Sequence, residues 1–152
     1  MPQSLARVVL HLVFSVGDRD PVFVLPTMRD VAAQYMGGIL RNLDCPAICV
    51  GGAVDHVHIL YAMSRTRTVA DVVGALKRET SGWIKAQSWA RGHAAFAGFR
   101  WQRGYGIFSV SESRVQAATN YINAQAEHHR AATFQEEHRR FAARHGLALD
   151  ER

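Results

Sequence analysis

The chain has 152 residues, 48% hydrophobic and 20% charged, the composition of one ordinary globular domain large enough for a real core. No run approaches the ~18 uninterrupted apolar residues of a membrane span, and the N-terminus lacks a signal-peptide layout, so a cytosolic protein is expected. The net charge of +5 and a pI near 9.8 favour a polyanionic partner, nucleic acid or an anionic membrane surface, without choosing between them.

The basic side chains are nearly all arginine, with lysine only at Lys77 and Lys85. Arginine's planar fork suits bidentate phosphate contacts, although a genome that inflates arginine and alanine together explains the bias equally well. Cys45 and Cys49 stand four apart with no second pair, which implies no disulfide framework and reads as two inert thiols.

Residues 5–16 are rich in β-branched and aliphatic side chains and predict a strand, interrupted by the loop Gly17-Asp18-Arg19-Asp20-Pro21. From about Pro26 to Leu43, the recurrence of Val31, Tyr35, Ile39 and Leu43 predicts a helix with Pro26 near its first turn. Residues 46–50 and 54–62 are apolar strands, with Gly51-Gly52 as a tight hairpin turn between them. A cap at Thr68 opens a second helix to about residue 88, on the spacing of Val69, Val72, Val73, Leu76 and Trp83.

Residues 91–106, rich in glycine and aromatic rings, are too irregular for anything but loop. Ile107–Val110 predicts a short strand. Ser111 or Ser113 then caps a helix to about His129, with Val115, Ala118 and Ile122 as its apolar stripe. The charged stretch Phe134–Arg144 predicts a helical tail ended by Gly146. The order β-α-β-β-α-β-α implies a ferredoxin-like α+β architecture, an antiparallel sheet with helices on one face. We expect a single domain over residues 1–130 and a charged C-terminal tail over 131–152.

Chemistry concentrates in two places. Strand residues His56 and His58 flank Val57 and therefore project from one face. Their strand is otherwise apolar, so two imidazoles there need partners. They form either a hydrogen-bonded histidine pair or a divalent metal site. Tyr121 and Gln125 lie one turn apart on the predicted third helix. Two imidazoles and the neutral Gln125 amide leave coordination positions open, as suits a Lewis acid that must accept substrate oxygens. Tyr121 sits at the edge of its apolar stripe with the hydroxyl free. As a nucleophile the phenol needs a metal or base to favour the phenolate; the other reading is a core ring.

Asp55 is placed to orient an imidazole or simply to open the strand. His11 reads as a satisfied sheet histidine, and His128 and His129 as a solvated helix end, extra ligands or proton carriers. The loop Phe99-Arg100-Trp101-Gln102-Arg103-Gly104-Tyr105-Gly106 interleaves rings with arginines. Such a segment either stacks unpaired bases or plugs the core.

Nearly the whole chain resembles the small single-tyrosine transposases of the HUH nuclease superfamily, which mobilise insertion sequences as single-stranded DNA. The resemblance rests on His11-Leu12-Val13-Phe14, on Gly51 to Leu60, on Leu76-Lys77-Arg78-Glu79-Thr80-Ser81-Gly82-Trp83-Ile84, on Trp101 to Ser111 and on Tyr121 to His129. It implies the HUH nuclease fold, His56, His58 and Gln125 as ligands of a divalent metal ion (Mg²⁺ or Mn²⁺), and Tyr121 as the nucleophile. Tyr121 would attack a phosphate at an element end, forming a 5′-phosphotyrosine bond and leaving a free 3′-hydroxyl, with no nucleotide cofactor.

The resemblance also implies a homodimer joined through sheets, single-stranded DNA hairpins as partners, no membrane, and action on DNA in a prokaryotic cytosol beside the nucleoid. In a shared site, Tyr121 of one chain would serve His56 and His58 of the other. Lys77, Arg100, Trp101 and Arg103 are the expected DNA contacts. The loop after the first strand departs from the family's basic pattern in reading Gly17-Asp18-Arg19-Asp20. A hairpin-binding protein of this fold that no longer transposes is the alternative, and a water-using metallophosphoesterase would leave Tyr121 without a role.

Overall fold

The computed structural model describes residues 3–23, 26–87, 98–125 and 133–148, and the side chains of 26 and 27 are not among those described. Four strands, β1 (Val9–Ser15), β2 (Ala47–Gly52), β3 (His56–Ala62) and β4 (Gly106–Val110), form one sheet in the order β2-β3-β1-β4. Every neighbouring pair is antiparallel. Helices α1 (Pro26–Asn42) and α2 (Val69–Ala86) make the two crossovers. Helices α3 (Val115–Asn123) and α4 (Phe134–Arg144) follow β4. This is the antiparallel α+β architecture expected from the order of elements.

Side-chain alternation divides the central strands between two cores. Leu12, Phe14 and Val16 of the first strand region join Val57, Ile59 and Tyr61 of β3 beneath α1 and α2. The opposite residues Val9 and Leu60 pack with Ile122 of α3. The crossover helices thus share one face, and the other carries α3 and α4. Both faces of β1 and β3 are covered, which explains why their sequences are apolar almost throughout.

Some boundaries differ from the sequence expectation. Residues 5–8 lie outside β1 and are exposed; the Val8 carbonyl still accepts from the Met63 amide at 2.7 Å, and Arg7 pairs with Glu112 at 3.0 Å. Gly51 and Gly52 are strand residues, opposite His58 and Val57, and not the hairpin turn. The turn lies at 53–55, where the Ala53 amide donates to the His56 carbonyl at 3.2 Å. A Cβ on Gly52 would come within 2.3 Å of that carbonyl oxygen, and one on Gly51 within 2.9 Å of the Ile122 carbonyl oxygen. The glycines therefore serve close approach, Gly51 letting α3 settle on the sheet.

The Thr68 cap is present, its hydroxyl accepting from the Asp71 amide at 3.1 Å. Ser111 caps no helix through its side chain; a 3-10 turn, Glu112–Arg114, precedes α3. Helix α3 ends at Asn123, with Ala124 as its C-cap, short of the predicted His129; residues 126–132, His128 and His129 among them, lie outside the described residues. Helix α4 matches the predicted Phe134–Arg144, opened by a capping box between Thr133 and Glu136. Gly146 follows with a φ of +65°, which ends it. Among the described residues no helix is long and apolar enough to cross a membrane.

Candidate active site

The face of the sheet under α3 and α4 carries three histidines. His56 and His58 project from β3, and His11 from β1 lies one register step further, opposite Leu60. All three are buried. Such burial of polar rings needs partners in place, and each has them.

His58 is held from both sides. Its Nδ1 lies 2.7 Å from His11 Nε2, and its Nε2 lies 2.8 Å from Glu137 Oε1. Burial, with the neighbouring His58 adding to it, pushes the His11 pKa down to about 3, so His11 stays neutral and can either donate to or accept from His58. His56 Nδ1 lies 2.7 Å from Asp55 Oδ1. A carboxylate only accepts, so Asp55 keeps the proton on Nδ1 and turns the Nε2 lone pair inward when the ring is neutral. That lone pair faces Gln125 Oε1 at 3.2 Å and Glu137 Oε1 at 3.6 Å. Three acceptors converging in a buried space call for a cation between them, a proton on His56 or a metal ion.

The donor set fits a divalent ion. His56, His58 and Glu137 each offer one ligand atom within 4.8 Å of the others. Gln125, fully buried, adds a neutral oxygen beside His56. Glu137 was missed in the sequence because it lies in the charged tail. It sits with Phe134 and Phe141 on one stripe of α4, three residues after the first and four before the second, and a carboxylate in an apolar stripe was the available signal.

Tyr121 reaches the same carboxylate: its hydroxyl donates to Glu137 Oε2. Its ring lies 5.8 Å from that of His58, edge to face. Burial foremost, and then the Glu137 hydrogen bond, push the phenol pKa above its ordinary value, so Tyr121 is a neutral phenol in this arrangement. The chain thus brings Tyr121 to its own His56 and His58. Within one chain, α3 packs directly on β2 and β3, and this packing carries Tyr121 to the two histidines.

The four expected DNA contacts lie elsewhere. Trp101 is nine-tenths buried. Its indole N–H donates to Thr80 Oγ1 at 2.9 Å, and its ring meets Phe14 at 4.7 Å and Phe99 at 4.9 Å. Its expected stacking on bases gives way to packing, because protein already covers its faces. Lys77 donates to the carbonyls of Gln102 at 2.9 Å and Gly104 at 2.6 Å, clamping that loop. Arg100 pairs with Asp18 at 2.7 Å, so the acidic loop after β1 neutralises it. Arg103 is exposed.

Comparison with known proteins agrees with this architecture. A family model described as "Transposase IS200 like" matches residues 4–125. A transposase candidate from Deinococcus radiodurans R1, solved at 1.90 Å, superposes with a TM-score of 0.62 at 21% identity over 81% of this chain and 94% of its own. A REP-associated tyrosine transposase bound to a REP hairpin superposes with a TM-score of 0.56 at 9% identity, over 96% of this chain and 73% of its own. A search of curated proteins found no match.

Proposed function

Because this chain belongs to the IS200-like transposases, we propose that it cleaves and rejoins single-stranded DNA at the ends of an insertion sequence, with Tyr121 as nucleophile. The observation that carries this reading is the meeting of Tyr121, His56, His58, Gln125 and Glu137 in one buried cluster within a single chain. An intact cluster of this kind favours retained chemistry over a hairpin-binding protein that has lost it.

His56, His58, Gln125 and Glu137 would hold a divalent ion, Mg²⁺ or Mn²⁺. When bound, that ion supplies Lewis acidity toward phosphate oxygens. His11 and Asp55 fix the two imidazoles so that a nitrogen of each faces inward. Glu137 orients the phenol oxygen while its other oxygen serves the histidines. Glu137, whose Oε2 accepts the phenol hydrogen bond, takes the Tyr121 proton as the phenol oxygen attacks the scissile phosphorus; the bond from phosphorus to the 3′-oxygen breaks, and the same proton passes to the departing 3′-oxygen. The 5′-phosphotyrosine bond keeps the energy of the phosphodiester, so strand transfer reverses the step without a nucleotide cofactor. The substrate is single-stranded DNA with hairpins near the element ends, met in the prokaryotic cytosol. The sheet ends in two edge strands, β2 and β4, and pairing through such an edge would give a homodimer that brings two complete sites together.

The test is covalent. Incubated with hairpin-bearing single strands and Mn²⁺, the protein should gain a DNA adduct that survives denaturation. Tyr121→Phe should abolish it and leave hairpin binding nearly intact. An undiminished adduct in that variant would place the nucleophile elsewhere.

A further inference from the structure

A groove of about 410 Å³ opens beside Tyr121 on the face that carries the histidines. One wall is β4 and the turn after it, with Arg114 at the rim; the other is α4, with Arg140 and Arg144. All three arginines are exposed. Arg140 and Arg144 are one helical turn apart and so share a face of α4. The Arg144 guanidinium lies 5.9 Å from the centre of the Phe141 ring, which steadies it over an aromatic face. Phe108 stacks on Phe141 at 5.1 Å and meets His145 at 4.6 Å, lining the groove with rings.

The charges along this groove are one-sided. Glu137 is the sole acid among the described residues that line it; it is buried at the floor and engaged by both His58 and Tyr121. The nearby Glu112 is occupied by Arg7. His11 is neutral, for the reason given above, and His145 directs Nδ1 to the Phe141 carbonyl at 3.0 Å. Among the described residues, three fixed cations therefore face the groove without an opposing surface acid, and Arg140 is near enough for its charge to act on the Tyr121 phenol.

The geometry points to this groove as the channel for the DNA strand entering the active site, with Arg114, Arg140 and Arg144 each contacting backbone phosphate. Rings between arginines suit a single strand, whose bases stack while the guanidinium groups follow the phosphates. This inference rests on the DNA-cleaving reading and relocates the contacts from the Trp101 loop to the face of Tyr121.

The experiment measures binding of a fluorescent oligothymidylate across a salt series, in a Tyr121→Phe background so that no chemistry intervenes. Each phosphate contact to a single strand contributes a slope of about 0.7 in log K against log salt. Replacing Arg114, Arg140 and Arg144 together by Gln should therefore flatten the slope by about 2 and weaken binding at least tenfold at low salt. The corresponding triple Lys variant should keep the slope, which separates charge loss from misfolding. A charge-matched triple, Arg41→Gln, Arg65→Gln and Arg78→Gln, should change the slope little. Equal flattening by both Gln triples, or none in the groove triple, would overturn the inference. The Tyr121 adduct is scored separately in the otherwise unaltered protein: its presence with an unchanged slope sinks the groove alone, and its absence sinks the cleavage reading while the salt series still decides the groove.

Discussion

Glu137 receives the Tyr121 hydroxyl on one carboxylate oxygen and the His58 ring on the other, tying the helix of Tyr121 to the histidine strand through α4. Glu137→Gln keeps the shape and removes the charge. A neutral amide attracts a divalent ion less strongly, so the Mn²⁺ concentration for half-maximal adduct formation should rise by about tenfold or more. Adduct formation at unchanged Mn²⁺ demand would show that the carboxylate is no part of the ion's site.

Gly51 decides how closely α3 approaches. A Cβ at this position would lie 2.8 Å from Ile122 Cγ2 as well as against the Ile122 carbonyl, and neither backbone can yield without moving the helix that carries Tyr121. Gly51→Ala should cost about 1–3 kcal/mol in urea unfolding and reduce adduct formation more than hairpin binding. A variant of full stability and activity would mean that α3 sits further from β2 than described.

Local periodicity made the fold legible. Strand alternation located β1 and β3 and put His56 and His58 on one face, and the four-residue recurrence located α1. Helical spacing put Tyr121 and Gln125 one turn apart, although α3 ends at Asn123 and Gln125 lies just beyond its C-cap. What stayed hidden depends on long-range packing. Nothing local to Trp101 distinguishes a base-stacking ring from a buried one; the hydroxyl of Thr80 and the ring of Phe14 decide it. Glu137 was obscured by the charges around it in α4, although the apolar neighbours on its own stripe marked that face as inward. The glycine pair reads as a turn because a two-residue glycine link is a common hairpin signal, whereas here the need is for space against Ile122 and His56.

Lys77 separates a structural role from a DNA contact. Its ammonium bridges the carbonyls of Gln102 and Gly104 and lies 5.5 Å from the Phe14 ring centre; burial lowers its pKa. Lys77→Met should lower unfolding stability by roughly 1–3 kcal/mol and leave the salt dependence of oligonucleotide binding almost unchanged. A slope reduced by a full phosphate contact, with no loss of stability, would restore Lys77 to the DNA-binding set.

His11 should give the metal-free protein a defined acid sensitivity. In the unfolded chain it takes up a proton near its ordinary value of about 6.5, but in the folded chain only near 3. Above the first value both states are neutral and His11 contributes no slope. Below it the unfolded state binds more protons, so stability falls as pH falls, until the folded value is passed. In chelator-treated protein, lowering the pH from about 6.5 to about 5 should cost the unaltered chain roughly 2 kcal/mol more than the His11→Gln variant, by urea titration. Parallel losses in the two proteins would show that His11 is accessible to protons in the folded state.

Which chain supplies the tyrosine is open to a direct test. Tyr121 and His58 of the same chain lie with ring centres 5.8 Å apart, and Ile122, next to the tyrosine, is anchored in the core with Val9 and Leu60. Moving the tyrosine to another subunit would expose that apolar cluster and vacate the Glu137 oxygen that receives the phenol. Each chain should therefore work alone, whether or not two copies pair through a sheet edge. A Tyr121→Phe chain mixed with a chain carrying His56→Ala and His58→Ala should form no adduct above either alone, even where mixed dimers are demonstrated by tag pull-down. Recovery of adduct in the mixture, on the chain that retains Tyr121, would establish a shared site and require α3 to leave its place against β2.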